Sequence, residues 1–392
     1  MEAIEKPARA LRSSLVISAF VAVIVGFGGS VAVVLAAIKS VGATPEQTSS
    51  WIAALCSAMA VTTAVLSIWH RMPIVTAWST PGAALIASST GVTMETAAGA
   101  FILAAGLILL TAAFRPIGRL VEKIPTAIAS AMLAGVLFGF VVAIFGYAKT
   151  APTIVFPLLV AFAILRVYSQ AWAVLAVLVL GVALVYALGQ NQPVEALRVS
   201  SLVLITPVFD PVIVLGLGVP LYLVTMASQN LPGFAVLRAA GYSPPSRSIL
   251  AVTGLASLMT AAAGAHTSNL AAITAAICTG PDAHPDSGKR WLGGIFYALG
   301  YGILAVFGAS VVTMFASFPE ALIATIAGIA LTGPLASALA ASLTEERHRF
   351  AAIVTFAVTA SGISAVGIGS AFWGLVAGLV IFGLESIARP GR

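Results

Sequence analysis

Apolar runs of membrane-crossing length follow one another almost without pause along this chain, and the polar residues collect into short stretches between them. A helix needs about 20 such residues to cross the hydrocarbon core of a bilayer. Cutting the sequence at that scale predicts fourteen segments, at residues 14–38, 46–69, 73–90, 94–114, 125–146, 151–166, 171–189, 211–236, 246–262, 265–280, 290–314, 318–341, 348–364 and 366–387. The third and tenth are short and polar for spans, and a tight turn joins the sixth to the seventh. The first run is too long for the apolar region of a cleaved signal peptide and lacks a clear cleavage site, so it is read as a span.

Two polar runs break this pattern inside apolar sequence. One is Ser228-Gln229-Asn230-Leu231-Pro232-Gly233, and the other is Ala265-His266-Thr267-Ser268-Asn269. Backbone that leaves the helix at bilayer depth must be buried in protein or line a water-filled cavity, because unpaired peptide groups are costly there. Such breaks are where secondary transporters hold their substrates. The first run is expected to end the eighth span at Pro232-Gly233.

Composition sharpens this picture. Of 392 residues, 60% are hydrophobic and only 8% charged, with mean hydropathy +1.08. Soluble chains carry roughly 25% charged residues, which excludes the soluble classes. The net charge of +6 reflects topology and not nucleic-acid binding. Sixteen of the nineteen Lys and Arg fall at the termini or in even-numbered loops, leaving Lys39, Lys149 and Arg198 on the other side. The positive-inside rule then places both termini in the cytoplasm.

A weak repeat aligns Pro125–Gly139 with Pro319–Gly333, 194 residues apart. It pairs the fifth span with the twelfth and the third with the tenth, which makes two seven-span halves of inverted orientation. In the third span, Pro73–Ala77 has an extended character and Thr80-Pro81 starts a helix with Pro at its first position. In the tenth, residues 264–267 are expected to be extended, with Thr267 or Ser268 capping a helix that runs to Cys278. Two half-helix N-termini would then face one another at mid-membrane, a setting for an anion or a polarised ring edge.

The remaining chemistry is sparse. His266 reads either as a proton carrier, since imidazole titrates near pH 6.5, or as a ring satisfied by a nearby carbonyl. Thr44-Pro45-Glu46-Gln47 and Ser317-Phe318-Pro319-Glu320 read as capping boxes, Asp210 as an N-cap before Pro211, and Glu95 as a first-turn acid. No acidic residue falls clearly at mid-membrane, which favours an anionic substrate over cation-coupled carriage of a neutral one. Gly135-x-x-x-Gly139 and Gly374-x-x-x-Gly378 read as close helix packing. Cys56 and Cys278 read as small core residues. His70, His266, His284 and His348 lack metal-ligand spacing, so no metal, cofactor or enzymatic constellation is expected.

Met226–Ala235, Ala263–Ala271 and Pro73–Ala87 together resemble the benzoate/proton symporter family of bacterial inner membranes, over essentially the whole chain. That family is related to the nucleobase–ascorbate transporters and sulfate permeases. The resemblance implies an all-α polytopic membrane protein whose fourteen segments form a seven-plus-seven inverted repeat. Segments 3 and 10 would each hold a short strand and a half-helix. A core domain (1–115 and 196–315) would move like an elevator against a gate domain (116–195 and 316–392), possible homodimers forming through the gates. Where nucleobase carriers place glutamates, this chain has Gln229 and Ser268 or Asn269, which favours a carboxylate. The resemblance implies proton-coupled uptake of benzoate or a similar aromatic acid. The expected substrate contacts are Ser79, Thr80, Gln229, Asn230, Thr267, Ser268 and Asn269, with Trp78 and Phe234 as ring contacts and His266 as the coupling candidate. The alternatives are a nucleobase or inorganic-anion carrier, a channel, or a membrane enzyme.

Overall fold

The computed structural model describes residues 13–114, 125–168, 170–190, 198–363, 365 and 369–388. Eight helical stretches are long and apolar enough to cross a membrane. Shorter helices and two strand–helix elements make up the rest of the fourteen segments. The helices are α1 (Ser13–Gly28), α2 (Val31–Ser40), α3 (Pro45–His70), α4 (Thr80–Ala87), α5 (Met94–Ala113), α6 (Thr126–Thr150), α7 (Pro152–Leu165), α8 (Gln170–Ala187) and α9 (Pro211–Thr225). They continue as α10 (Leu231–Ala239), α11 (Ser246–Ala261), α12 (Ile273–Thr279), α13 (Trp291–Ala316), α14 (Glu320–Ser342), α15 (Arg349–Ala360) and α16 (Ser370–Ala388). Strands β1 (Thr76–Trp78) and β2 (Ser268–Leu270) precede α4 and α12.

Two packing groups emerge. In the first, α3 lies along α13, α5 contacts both α9 and α11, and α1 contacts α12 and α13. In the second, α6 packs on α14 and α15, and α15 packs on α16. Lipid offers no hydrophobic drive between helices, so close approach depends on small residues. A Cβ on Gly135 would lie 2.5 Å from the Thr359 Cβ, and Gly374 and Gly378 press against Thr359 and Thr355. Gly139, by contrast, faces open space, so only the first glycine of that pair serves packing. Residues 198–210, without regular structure, run along the first group, tied to it by Ser200 N–H to Val306 O, Ile205 N–H to Ala262 O and Val208 N–H to Glu95 O.

The loops holding Arg71, Arg247 and Arg290 meet at one end of the molecule. Arg71 sits 4.2 Å over the Trp291 ring, His70 Nε2 lies 2.8 Å from Ser248 Oγ, and Tyr242 donates to the Ser287 carbonyl. Lys39 and Arg198 lie at the opposite end, where Lys39 pairs with Glu320. Lys6, Arg9, Arg12, Arg115, Arg119, Lys123, Arg389 and Arg392 lie outside the described residues.

Several sequence expectations need correction. The first span is broken at Gly29-Ser30 between α1 and α2, where Ser30 Oγ turns back onto Gly26 O. The eighth span does not end at Pro232-Gly233. Its helix passes through a π turn at Met226–Asn230 and continues as α10. Proline is tolerated in the first turn of α10 because its missing N–H falls where the register is already reset. The Thr44 capping box and the Asp210 cap form. Ser317–Glu320 does not form one, because Pro319 occupies the N-cap of α14 and Ser317 bonds Met314 O. Ser79, not Thr80, caps α4, through a 3.0 Å bond from Gly82 N–H. Neither Thr267 nor Ser268 caps α12, which starts later, at Ile273, after β2.

Candidate functional site

β1 and β2 pair antiparallel, with Thr76 opposite Leu270, Ala77 opposite Asn269 and Trp78 opposite Ser268. The two strands lie deep inside the first packing group and are held mainly by side chains. Thr76 Oγ1 lies 2.7 Å from Thr62 Oγ1 and 2.8 Å from Thr63 Oγ1, both on α3. Its carbonyl accepts from Tyr297 on α13. Across the ladder, Ser268 N–H donates to Ser257 Oγ on α11 and Leu270 N–H donates to Asn230 Oδ1 at 2.9 Å. A two-strand ribbon this short has little stability of its own. Hydroxyl and amide side chains from four neighbouring helical elements therefore complete its backbone pairing.

Below the crossing lies a cavity of about 630 Å³, within the range of small-molecule sites. The break in the first span, β1–α4, the π turn, the start of α12, Tyr301 and the second packing group all contribute to its wall. On α14 the lining runs from Ala330 to Ala341, and on α6 from Ala129 to Leu133. These are the halves nearest the basic end, so the cavity extends from mid-molecule towards that end.

The residues singled out in the sequence separate into three kinds. Trp78, Thr80 and Gln229 line the cavity. Neither Thr80 Oγ1 nor the Gln229 carboxamide has a hydrogen bond to any described residue. Ser79, Asn230, Thr267 and His266 are buried framework with protein partners. Ser79 caps α4, Asn230 holds Leu270, and Thr267 Oγ1 lies 2.7 Å from Thr225 Oγ1. His266 is wholly buried. Its Nδ1 accepts from the Trp51 indole at 3.1 Å, and its Nε2 lies 3.1 Å from Ser79 O. An indole N–H can only donate, so the ring is neutral, with its proton on Nε2.

Ser268 and Asn269 are the third kind. Both are fully buried, yet Ser268 Oγ and both polar atoms of Asn269 have no partner among the described residues. Such groups are rare, since each costs about 1–3 kcal/mol. Neither Ser268 nor Asn269 is part of the cavity lining, but Asn269 lies opposite Ala77 in the ladder, and Ala77 lines the cavity. Phe234 is buried but is not part of the lining.

Sequence reasoning missed Ser30 and Tyr301. Ser30 Oγ accepts from Trp78 Nε1 at 2.9 Å and so orients the indole. Phe27 and Tyr301 pack edge-on against that indole at 5.5 and 6.1 Å. The signal was present as Gly26-Phe27-Gly28-Gly29-Ser30, a small-residue run inside an otherwise bulky span. The half-helix starts also differ. In α4, Ser79 caps Gly82, and Pro81 has no N–H to satisfy. In α12 the N-cap position is Ala272, and no side chain caps the first turn. Ala272, Ile273 and Thr274 line the cavity. Three first-turn amides of α12 therefore have no hydrogen-bond acceptor among the described residues.

A model of the family described as benzoate membrane transport protein matches residues 9–384. The inner membrane protein YdcO of Escherichia coli K12 is 40% identical over 368 residues, covering 93% of this chain and 94% of that protein. The benzoate membrane transport protein of Acinetobacter baylyi is 37% identical over 371 residues, covering 94% of each. Among solved structures, the transmembrane domain of the cyanobacterial bicarbonate transporter BicA superposes with a TM-score of 0.59 at 14% identity, covering 95% of this chain and 98% of that one. The fold is thus that of transporters built as a seven-plus-seven inverted repeat. With this fold, its apolar spans and relatives matched along nearly its full length, the chain is a multi-pass membrane transporter belonging to the benzoate membrane transport protein family.

Proposed function

We propose that the protein carries benzoate or a similar small aromatic carboxylate, together with a proton, into the cell across the bacterial inner membrane. The observation that carries this reading is the gathering of unpartnered polar groups around the strand crossing. Thr80, Gln229, Asn269 and the open first turn of α12 offer donors without acceptors. A carboxylate supplies up to four acceptor sites and no donor. It would complete the first turn of α12 as an Asp side chain completes a helix N-terminus. Trp78, held by Ser30, gives the aromatic ring a flat apolar wall. Among the described residues the cavity lining contains no Lys, Arg or His, and amides, hydroxyls and helix dipoles meet the carboxylate's charge. The Acinetobacter relative, a benzoate membrane transport protein, supports the same substrate.

In this reading the first packing group (1–115 and 196–315) is a core that moves past the second (116–195 and 316–392), a gate, in an elevator-like step. The basic end is cytoplasmic with both termini, and homodimers form through the gates. The cavity then opens inward, while Lys39–Glu320 joins core to gate on the outer side. His266 serves as a strut in the core, because both its ring nitrogens are already engaged. The coupled proton travels on the substrate carboxylate itself, whose acid O–H can donate to the Gln229 side-chain oxygen in the cavity wall.

Uptake of radiolabelled benzoate into proteoliposomes tests the reading. An imposed inward proton gradient should stimulate it several-fold. Transport of bicarbonate, sulfate or uracil with no gradient-stimulated benzoate uptake would reject it.

A further inference from the structure

Two open hydroxyls line the cavity outside the carboxylate site. Ser130 on α6 and Ser337 on α14 face the cavity from the gate side. Neither has a hydrogen bond to any described residue. Their neighbours on α14 behave differently: Thr325 Oγ1 bonds Ala321 O at 2.6 Å, and Thr332 Oγ1 bonds Ile329 O at 2.8 Å. Helical hydroxyls at bilayer depth normally turn back onto their own helix in this way. Ser130 and Ser337 instead stand open towards the cavity, which is therefore polar at two poles. Much of the remaining lining is apolar, including Trp78, Leu133, Val174 and Ile273. About 630 Å³ also leaves room beyond a single unsubstituted ring.

We infer that Ser130 and Ser337 form a second subsite that recognises a neutral hydrogen-bonding substituent on the substrate ring, opposite its carboxylate. The substrate class thereby extends to para-hydroxylated benzoates. This rests on the carboxylate reading above, which seats the acid group at the core pole and directs the far end of the ring to the gate. Charge excludes the competing substituents. Among the described residues the lining has no cation to meet a second carboxylate, and no Asp or Glu to meet an ammonium. A phenolic hydroxyl stays neutral at physiological pH, and it both donates to and accepts from a serine. A methyl group of similar size does neither.

The test is inhibition of radiolabelled benzoate uptake in proteoliposomes by 4-hydroxybenzoate and by 4-methylbenzoate. The readout is the ratio of their two inhibition constants, in which a general loss of transport cancels. The wild-type protein should favour the hydroxyl compound by about three- to tenfold, the range expected of one or two neutral hydrogen bonds. In Ser130→Ala/Ser337→Ala that preference should fall to about unity, and Ser130→Thr/Ser337→Thr, which keeps both hydroxyls, should restore it. A wild-type preference for the methyl compound, or a ratio unchanged in the alanine pair, would overturn the subsite while leaving benzoate carriage intact. Absence of benzoate uptake by the wild type would overturn the carboxylate reading and this subsite with it.

Discussion

The two strand–helix crossings occupy matching places in the two halves of the chain, yet they are finished differently. At β1–α4 nearly every polar group is paired. Thr76 meets Thr62 and Thr63, Ser79 caps α4, and Ser79 O faces the His266 ring. At β2–α12 the backbone of the strand is paired, but among the described residues nothing pairs Ser268 Oγ or the Asn269 carboxamide, and no side chain caps α12. Burying polar groups without partners costs free energy unless something else completes them. The comparison separates a crossing whose polar groups are mostly paired, Thr80 excepted, from one with several left open, which in the proposed reading are completed by the substrate.

The sharpest way to break this contrast is to exchange what each half loses. Asn269→Leu should weaken benzoate binding by about 10- to 100-fold, as expected for a lost hydrogen bond to a charged group. Its melting temperature in detergent should not fall, because the carboxamide has no protein partner to lose. An Asn269→Leu protein that binds normally but melts early would place this residue in the framework after all. Thr76→Val should do the reverse. It removes hydroxyl contacts to α3 worth about 1–3 kcal/mol and should lower thermal stability without substrate, while the folded fraction retains its affinity.

Smaller changes probe the caps. Ser79→Ala should destabilise the protein by about 1 kcal/mol through the lost cap of α4, read as a lower unfolding midpoint. Ala272→Ser installs the cap that α12 lacks. It should stabilise the substrate-free protein by a similar amount and weaken benzoate affinity about fivefold, because the new hydroxyl competes for the same amides. Equal affinity in Ala272→Ser and wild type would separate the substrate from the start of α12. The smallest effect is expected at His266. Gln can accept from Trp51 and donate to Ser79 O, so His266→Gln should keep the dependence of uptake on external pH. Loss of gradient-driven accumulation with exchange intact would return the proton to His266.

Much of this architecture is already legible in the residues. Apolar run length sets the number of spans, because a bilayer core has a fixed thickness. Proline, glycine and threonine at 73–82 announce a break, and the polar runs at 228–233 and 265–269 mark where the helices are interrupted beside the cavity. Local chemistry predicts the Thr44 and Asp210 caps because each needs only residues three positions away. It fails at Ser317–Glu320, where Pro319 itself occupies the cap position and Ser317 finds a carbonyl on the preceding helix.

What the sequence by itself determined, then, is the set of membrane segments and the polar runs that interrupt them. Both follow from the cost of exposing charge or unpaired backbone to lipid. Which polar residues line the cavity was decided only by the tertiary structure. Thr267 and Asn230 read in sequence like Gln229, but Thr225 and Leu270 engage them. Ser30 orients Trp78 from 48 positions away, and Ser130 meets the cavity opposite residues of the other half. A hydroxyl or amide reads the same whether it ends on a partner or on a cavity, and the helices packed around it settle which.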